Sequence, residues 1–357
     1  MQRKVRIKDI AEKAGVSTGT VDRILHNRGN VSEKARKAVD KVLKEWEYSP
    51  NLHLSGLSLK KIYRIVITTP SVSSGNYWES IHRGINKAIQ QYKSIKIEPV
   101  VLTYDQYDVN SCREIFAKIP STKPDAVIIG PTFVDETVAL TKQLEENNIR
   151  YVYVDSMIDG TNPLAFFTTD QFTSGYLMCK LLNLLLPDSS DIGIMQAIRT
   201  GNRSANNTIK RREGVDRFFQ EKGLKNNVFG IKFHPNQAEA NNRSMADFFA
   251  KHPDIKGVIV LNSHGNIIAD FLKKNKKQDV KLVCMDLTDP NVNALKEGSI
   301  EFLINQNPEQ QGYMAMKTVL EHLVLKITGK MENFLPMEII TKETIDLYLQ
   351  YDLLHQL

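Results

Sequence analysis

From residue 62 onward, short apolar runs alternate with amphipathic stretches, and this alternation restricts the possible fold more than any other feature. The apolar runs lie at 62–69, 96–103, 125–131, 150–155, 192–197, 228–233, 256–262 and 280–286. The stretches between them carry apolar residues at helical spacing. Such βα repetition builds parallel sheets with helices on both faces. Because about 290 residues exceed one ordinary domain, we expect two lobes rather than one large sheet.

Residues 1–50 follow a different pattern, that of three short helices. Apolar residues recur at helical spacing in three segments: Ile7, Ile10, Ala11 and Ala14; Val21, Ile24 and Leu25; Ala35, Val39, Val42 and Trp46. Gly15 should end the first helix, because glycine adopts the left-handed cap conformation without a Cβ penalty. Ser17 and Ser32 are suitable N-caps for the next two helices. The tight glycine turn between the first two indicates a helix-turn-helix.

The positive charge of the chain is concentrated in the same segment. Residues 1–61 hold 14 Lys and Arg against 7 Asp and Glu, a net charge of +7, whereas the whole chain carries +6. The remaining residues hold 33 basic and 34 acidic side chains. This asymmetry favours a polyanion-binding head on a nearly neutral body. A basic solvated surface is the plainer interpretation of the charge alone.

Several classes of protein are disfavoured by the sequence. No run of about 18 apolar residues suggests a membrane span, and the N-terminus lacks the apolar region of a secretory signal. Cys112, Cys179 and Cys284 form no CxxC pair, as expected for a reduced cytoplasmic chain. No phosphate-binding glycine motif, zinc-ligand spacing or nucleophile elbow occurs, so we expect no enzyme, cofactor or metal site.

Polar residues stand at the carboxyl ends of the expected strands, where open α/β sheets place their binding sites. They are Thr68, Thr69, Ser71, Thr103, Asp105, Asp155, Asn262, Asp286, Asn305 and Gln306. Carboxylates accept hydrogen bonds from hydroxyl groups, arginine donates them, and aromatic rings pack on C–H faces. These groups together suit a polyhydroxylated ligand.

The run VRIKDIAEKAGVSTGTVDRILHNRGNVSEKARKAVDKVLKEWEYSPN resembles the DNA-binding head of the LacI family of bacterial repressors. The resemblance implies a recognition helix that starts at Ser17 and lies in the major groove. The DNA-binding residues it implies are Ile7, Ser17, Thr18, Gly19, Thr20, Asp22, Arg23, Asn30 and Leu57. Arg23 suits bidentate readout of guanine, with a phosphate contact as the alternative. Leu57 would act as a minor-groove wedge on a hinge helix, unless this segment is a plain linker.

Two of these residues are unusual in a helix that reads DNA. Gly19 has no side chain, so readout would shift to Thr18, Arg23 and the hinge. Asp22 stands where a serine is usual in the family, and a nearby phosphate would repel it. Asp22 could pair with Arg23 or His26, accept from a cytosine amino group, or face away from DNA.

The body resembles the sugar-binding periplasmic-protein fold that forms the LacI-family effector domain, with matches spread over most of 62–330. The effector-binding residues that this resemblance implies are Tyr77, Trp78, Asp155, Arg211, Asn262, Asp286 and Gln306. Plainer roles exist for all of them. The aromatic pair could belong to the core, and Arg211 to a solvated basic face. The aspartates could cap helices, and the two amides could satisfy loop backbone.

The resulting expectation is an all-α helix-turn-helix head followed by α/β structure, two Rossmann-like lobes of parallel sheet in a type I periplasmic-binding-protein-like arrangement. The expected divisions are a DNA-binding domain over 1–50, a hinge or linker over 51–61, and an effector-binding domain over 62–357. Lobe one would comprise 62–165 and 307–329, and lobe two 168–305 and 331–357. The chain would then cross between lobes near 165–168, 305–308 and 328–332.

The expected function is a cytoplasmic transcription regulator, a repressor that binds a pseudo-palindromic operator as a homodimer, with no membrane partner. A small carbohydrate or sugar acid between the lobes would control DNA affinity. The same regulator under control of a partner protein or nucleotide-like ligand is the alternative, and a free-standing sugar-binding protein is a more distant one. The chain ends DLYLQYDLLHQL, too short for the heptads of a tetramerising coiled coil.

Overall fold

The computed structural model of the protein describes residues 7–25, 31–45, 61–187, 190–200, 205–224, 227–326 and 331–354. Its helices are α1 (Ile7–Ala14), α2 (Thr18–Leu25), α3 (Glu33–Glu45), α4 (Tyr77–Gln91), α5 (Val109–Lys118), α6 (Val134–Glu146), α7 (Gln171–Asn183), α8 (Asn206–Lys222), α9 (Ala238–Lys251), α10 (Gly265–Lys274), α11 (Asp289–Lys296), α12 (Pro308–Leu325) and α13 (Ile345–Leu354). Its strands are β1 (Tyr63–Pro70), β2 (Ile97–Tyr104), β3 (Ala126–Ile129), β4 (Arg150–Val154), β5 (Ala165–Thr168), β6 (Ile192–Ala197), β7 (Val228–Phe233), β8 (Gly257–Val260), β9 (Lys281–Met285), β10 (Phe302–Asn305), β11 (Met331–Phe334) and β12 (Glu338–Ile340). None of the helices within these ranges is both long and apolar enough to cross a membrane.

The first three helices form the expected helix-turn-helix head. Gly15 ends α1 with a φ of +65°, and the N–H of Val16 donates to the carbonyl of Ala11 at 3.0 Å. Ser17 caps α2, because its hydroxyl oxygen accepts from the N–H of Thr20 at 3.1 Å. The core of the head is small and apolar, and its buried members are Ile10, Ala11, Val21, Ile24, Val39 and Val42.

The body contains two six-stranded sheets with the same arrangement of strands. The first has the order β11-β5-β4-β3-β1-β2 and the second β12-β10-β9-β8-β6-β7. All neighbouring strands are parallel except the pair of β10 and β12. The central strands are buried throughout, as in 126–129 and 257–260, because helices cover both faces of each sheet. The predicted fold class, two lobes of parallel sheet after an all-α head, is confirmed.

Strand β11 contradicts one predicted boundary. The expected division places residues from 331 onward in lobe two, after a crossing near 328–332. Instead, β11 pairs in parallel with β5 in the first sheet, from Met331 opposite Ala165 to Phe334 opposite Thr168. The next strand, β12, pairs with β10 in the second sheet. The chain therefore passes between the sheets after Phe334, because the parallel pairing with β5 extends the first sheet by one edge strand.

Glycines allow two pairs of helices to approach closely. A Cβ added to Gly84 of α4 would overlap the carbonyl oxygen of Glu309, and one added to Gly312 of α12 would overlap that of Ile81. The same arrangement recurs in the other lobe. There a Cβ on Gly175 of α7 would overlap the carbonyl oxygen of Arg211 in α8. The close contact of α7 with α8 thus fixes the backbone that carries Arg211.

Candidate functional site

A cleft of about 600 Å³ opens between the carboxyl ends of the two sheets. All seven residues predicted for the effector site line it, and they come from both lobes: Tyr77, Trp78, Asp155, Arg211, Asn262, Asp286 and Gln306. Of the other polar residues predicted at strand ends, Ser71 and Asp105 also line the cleft. Asn305 does not, because its amide donates to the Glu338 carboxylate and the Tyr348 hydroxyl.

Tyr77 and Trp78 open helix α4 at the edge of the cleft. Their rings meet edge to face, with centroids 5.4 Å apart. Both side chains are buried and belong to the core of the first lobe, and both also face the cleft. The core and the ligand-contact interpretations are therefore compatible, because both residues belong to the core and also line the cleft.

Asp155 and Asp286 occupy equivalent positions in the two lobes. Asp155 follows β4 and Asp286 follows β9, and the two strands hold the same place in their sheets. Both residues are in the left-handed region, with φ of 69° and 72°. The N–H of Asp155 donates to the carbonyl of Phe167 at 3.1 Å, and that of Asp286 to the carbonyl of Ile304 at 2.9 Å. Left-handed geometry is costly in a non-glycine residue, so the surrounding structure must hold both strand ends in this conformation.

Both carboxyl groups are almost completely buried, and burial raises their pKa values. Desolvation raises the pKa of Asp155 to about 6, although Arg211 and a hydrogen bond with Tyr77 oppose this effect. Desolvation also raises the pKa of Asp286, against the opposing effects of Arg211 and Gln306. The negative charge of Asp286 contributes to the raised pKa of Asp155, so the two carboxylates repel each other across the cleft.

Arg211 is a buried cleft residue, whereas its two basic neighbours lie on the surface. Its guanidinium donates to the carbonyl of Leu261 at 2.6 Å and to the side-chain oxygen of Gln306 at 2.8 Å. The Nε–H of Arg211 is buried and has no partner. Lys210 and Arg212, by contrast, pair with acids of the same helix at the surface. The solvated-face interpretation therefore fails for Arg211.

Gln306 joins the cleft to the segments that cross between the lobes. Its amide nitrogen donates to Asp286 at 2.7 Å, and its oxygen accepts from Arg211, from the Thr169 hydroxyl at 3.1 Å and from the Gln171 amide at 3.2 Å. Gln311 completes this network in α12. It accepts from the N–H of Asp155 at 2.8 Å and donates to the carbonyl of Gln306 at 2.9 Å.

Asn262 lines the cleft, but part of its amide serves the local loop. Its oxygen accepts from the N–H of His264 at 3.0 Å. His264 also lines the cleft, and its ring lies 4.7 Å from that of Phe233. Burial lowers the pKa of His264 to about 4, so the ring is neutral near pH 7, and its Nδ1 has no hydrogen-bond partner.

Arg199 is the most important cleft residue that the sequence analysis missed. It follows β6, and it reaches across the cleft to the other lobe. Its guanidinium donates to the carbonyl of Gln106 at 2.6 and 2.9 Å and to that of Thr132 at 3.0 Å. It also lies 4.0 Å from the ring centroid of Phe133. The rule that sites lie at strand ends could have identified it, because it stands two residues after β6.

Asn207 was missed as well. Its amide donates to the carboxylate of Asp155 at 3.2 Å, which joins α8 of one lobe to the residue that follows β4 in the other. Asn207 precedes Arg211 by four residues, and side chains four apart lie on the same face of a helix. That spacing was a usable signal. Within the described ranges, no group of three or more His, Cys, Asp and Glu side chains could hold a metal ion.

The predicted DNA-binding residues of α2 form an exposed surface on the head. Ser17, Thr18, Gly19 and Arg23 are exposed, while Thr20 and Asp22 are half-buried. The nearest side-chain atoms to a Cβ placed on Gly19 are a guanidinium nitrogen of Arg23 and the hydroxyl of Ser17, each at 3.9 Å. The structure describes the helical backbone of Ile7, the first residue of α1, but not its side chain. Asn30 and Leu57 lie outside the described residues.

The head and the body of the chain each match a known protein family. The family model described as "Bacterial regulatory proteins, lacI family" matches residues 6–51, and that of a periplasmic binding protein domain matches residues 65–327. The sucrose operon repressor of Lactococcus lactis is 24% identical over 305 residues, covering 82% of this chain and 88% of that protein. The ribose operon repressor of Halalkalibacterium halodurans is 25% identical, covering 78% and 80%.

Among solved structures, a putative LacI transcriptional regulator from Bacteroides fragilis is similar in fold and in sequence. It superposes with a TM-score of 0.77 at 34% identity, covering 81% of this chain and all of that one. The relatives are regulators of transcription rather than enzymes.

Proposed function

The chain belongs to the LacI family of bacterial regulatory proteins, and from this premise we propose that it is a cytoplasmic repressor. Its affinity for operator DNA is controlled by a small carbohydrate or sugar acid. Two copies of the chain bind a pseudo-palindromic operator, one head on each half-site. The DNA contacts come from the exposed face of α2, and the effector binds between the two sheets.

One observation carries this proposal. Seven side chains from separate segments of the chain, all of them effector contacts implied by the family resemblance, converge on one cleft. They supply buried carboxylates, a buried arginine, amides and two aromatic rings, which is the chemistry that sugars require. Two relatives are repressors of sucrose and ribose operons, which agrees with an effector of this class.

The mechanism follows from the position of the cleft between the lobes. An effector that contacts Asp155 in one lobe and Asp286 in the other favours the closed arrangement over open ones. Closure changes the position of the first lobe relative to its copy in the dimer, and therefore the separation of the two heads. DNA affinity changes only to the extent that the effector binds the two arrangements with different affinity.

The experiment is an operator selection followed by a titration of sugars. Double-stranded oligonucleotides with random half-sites are enriched on the full chain, and binding is measured by fluorescence anisotropy at two salt concentrations, with and without each sugar. We expect a palindromic preference, a steep loss of affinity with salt, and a shift of operator affinity by one class of sugar. Binding to DNA without sequence preference would contradict the proposed repressor function. An operator affinity that no sugar changes would contradict the proposed carbohydrate effector.

A further inference from the structure

In the described part of the body, the chain passes between the lobes at one edge of the two sheets. The crossings join β5 to α7, β10 to α12 and β11 to β12. Strands β11 and β12 form the edges there, and β5 and β10 are their direct neighbours. The opposite edges are β2 and β7. The lobes therefore open and close about the edge that holds the crossings, and β2 and β7 lie farthest from this axis.

Four polar side chains meet on two of these crossings and form the crossing cluster: Asn305, Asn307, Glu338 and Tyr348. The amide nitrogen of Asn305 lies 2.8 Å from the Tyr348 hydroxyl, 2.9 Å from the Glu338 carboxylate and 3.1 Å from the side-chain oxygen of Asn307. The Tyr348 hydroxyl lies 2.7 Å from Glu338 and 3.3 Å from the oxygen of Asn307. Asn307 also donates to the carbonyl of Pro336 at 3.1 Å, which joins the second crossing to the third.

The Tyr348 hydroxyl determines how the few donors of the crossing cluster are shared. Asn305 supplies two N–H groups and Tyr348 one O–H group, and the acceptors are the Tyr348 oxygen, the Glu338 carboxylate and the Asn307 oxygen. At the observed distances Tyr348 donates to Glu338, so one N–H of Asn305 goes to Tyr348 and the other remains for Asn307. Without the hydroxyl, the charged carboxylate is the stronger acceptor and takes the donor that Asn307 needs.

Tyr348 has a fixed position because its helix, α13, is packed into lobe two. Ile345 of α13 is completely buried in the core of that lobe, and Tyr348 and Leu349 pack against the same core. Asp346 pairs with Lys296 of α11 at 2.6 Å. The hydroxyl of Tyr348 therefore moves with β10 and β12, whereas Asn307 leads into α12, which packs in the core of lobe one.

Asn307 is the residue at which a rotation of the lobes has to act on this crossing. It stands directly before α12 in the left-handed conformation, with a φ of 52°. Asparagine visits this region more readily than most residues, but its surroundings still have to hold it there. Domain rotations are absorbed by the φ and ψ angles of a few such residues at the ends of elements. A contact that holds the Asn307 side chain thus holds the crossing.

We propose that Tyr348 is a positioning residue for lobe closure. By donating to Glu338 it leaves the amide of Asn305 for Asn307, and it thereby maintains the second crossing in its closed geometry. This role goes beyond the proposed function, because Tyr348 lies outside the cleft and acts whichever effector the cleft binds.

The test measures the distance between the lobes in the effector-free full chain. Nitroxide labels are placed on Asn110→Cys in α5 and Glu239→Cys in α9, two exposed positions on the helices that follow β2 and β7. The native cysteines are buried, so the introduced thiols are the ones that react. Pulsed electron paramagnetic resonance then gives the ratio of open to closed molecules. We expect Tyr348→Phe to raise this ratio about threefold to tenfold, the usual effect of one hydrogen bond.

Tyr151→Phe is the matched control, because it removes a hydroxyl with the same kind of partners inside one lobe. The Tyr151 hydroxyl donates to Glu145 at 2.6 Å and accepts from the N–H of Asn162 at 2.8 Å, all in lobe one. This variant should lower thermal stability and leave the open-to-closed ratio unchanged.

Both variants are also measured together with Arg199→Ala, which removes the contact between the lobes near the opposite edge of the sheets. A rise of the open-to-closed ratio in Tyr348→Phe in either background, without a rise in Tyr151→Phe, supports the role of Tyr348. An unchanged ratio in both backgrounds, or an equal rise in Tyr151→Phe, overturns it. Because no effector or DNA is present, either result leaves the proposed function intact.

Discussion

Asp155 links the proposed effector site to the stability of the free protein through a single carboxyl group. Its pKa rises from 3.8 to about 6 because the folded chain buries it. One pKa unit corresponds to about 1.4 kcal/mol, so burial of the charged form costs about 3 kcal/mol at pH 7. An acid with a raised pKa binds its proton more tightly in the folded state. Its contribution to stability is therefore complete below about pH 4 and is lost as the pH rises through about 6.

The first prediction concerns this pH dependence. Asp155→Asn removes the titrating group, so the free energy of unfolding of the variant relative to the native protein should rise between pH 4 and pH 7, by about 3 kcal/mol at most. Urea unfolding of the effector-free proteins at several pH values measures this difference. Parallel pH profiles for the two proteins would contradict a buried, high-pKa carboxyl group at this position.

At the level of elements, the packing of α7 against α8 determines where Arg211 lies. The two helices touch at Gly175 and Gly214, where a Cβ would overlap carbonyl oxygens of the opposite helix. Backbone atoms cannot yield as a flexible side chain does, so any side chain at Gly175 must separate the helices. Because the overlapped carbonyl belongs to Arg211 itself, such a change displaces this residue from Leu261 and Gln306.

The second prediction follows from this contact. Gly175→Ala should destabilise the protein by about 1–3 kcal/mol, the usual range for an overpacked contact, and should weaken effector binding more than that loss of stability explains. Gly230→Ala is the matched control, because a Cβ there meets no atom within 4 Å. Thermal unfolding and effector titration of both variants separate the two effects. If the two variants have the same thermal stability and the same effector affinity, the spacing of α7 and α8 does not position Arg211.

On the scale of the whole molecule, Arg199 connects the two lobes on the rim of the cleft. It is 8% exposed, and every hydrogen bond that it makes crosses to Gln106 or Thr132. The N–H of Thr200 adds a bond to the carbonyl of Tyr107 at 2.9 Å. Buried guanidinium groups normally pair with an acid, whereas here backbone carbonyls and a ring take that place. These contacts exist only when the lobes are close together, so they favour the closed arrangement.

The third prediction tests this interlobe contact. Arg199→Ala should shift the effector-free protein toward open arrangements, which raises its radius of gyration in small-angle scattering. The apparent effector affinity should fall in proportion to the closed fraction. Arg217→Ala removes an exposed arginine that pairs within α8 and serves as the control. An unchanged radius of gyration in Arg199→Ala would show that other contacts hold the lobes together.

Local patterns in the sequence were enough to predict the elements and the general chemistry of the cleft. The alternation from residue 62 onward predicts two parallel sheets, because a strand buried on both faces has to be apolar throughout. Gly15 and Ser17 predict the turn of the head, because a left-handed cap and a hydroxyl N-cap depend on the residue alone. Strand β11 escaped this approach, since four residues on a sheet edge show no periodicity. Only its pairing with β5 places it in the first lobe.

The sequence by itself determined which residue types stand at the strand ends, while their charge states and partners depend on contacts between distant segments. Lys210, Arg211 and Arg212 are alike in a list of residues, yet Arg211 alone is buried in the cleft. The raised pKa of Asp155 depends on burial and on Asp286, which lies far along the chain. The position of Arg199 in the cleft depends on its hydrogen bonds to the carbonyls of Gln106 and Thr132 in the other lobe. Desolvation and Coulomb interaction act through space, so they become defined only once the lobes are assembled.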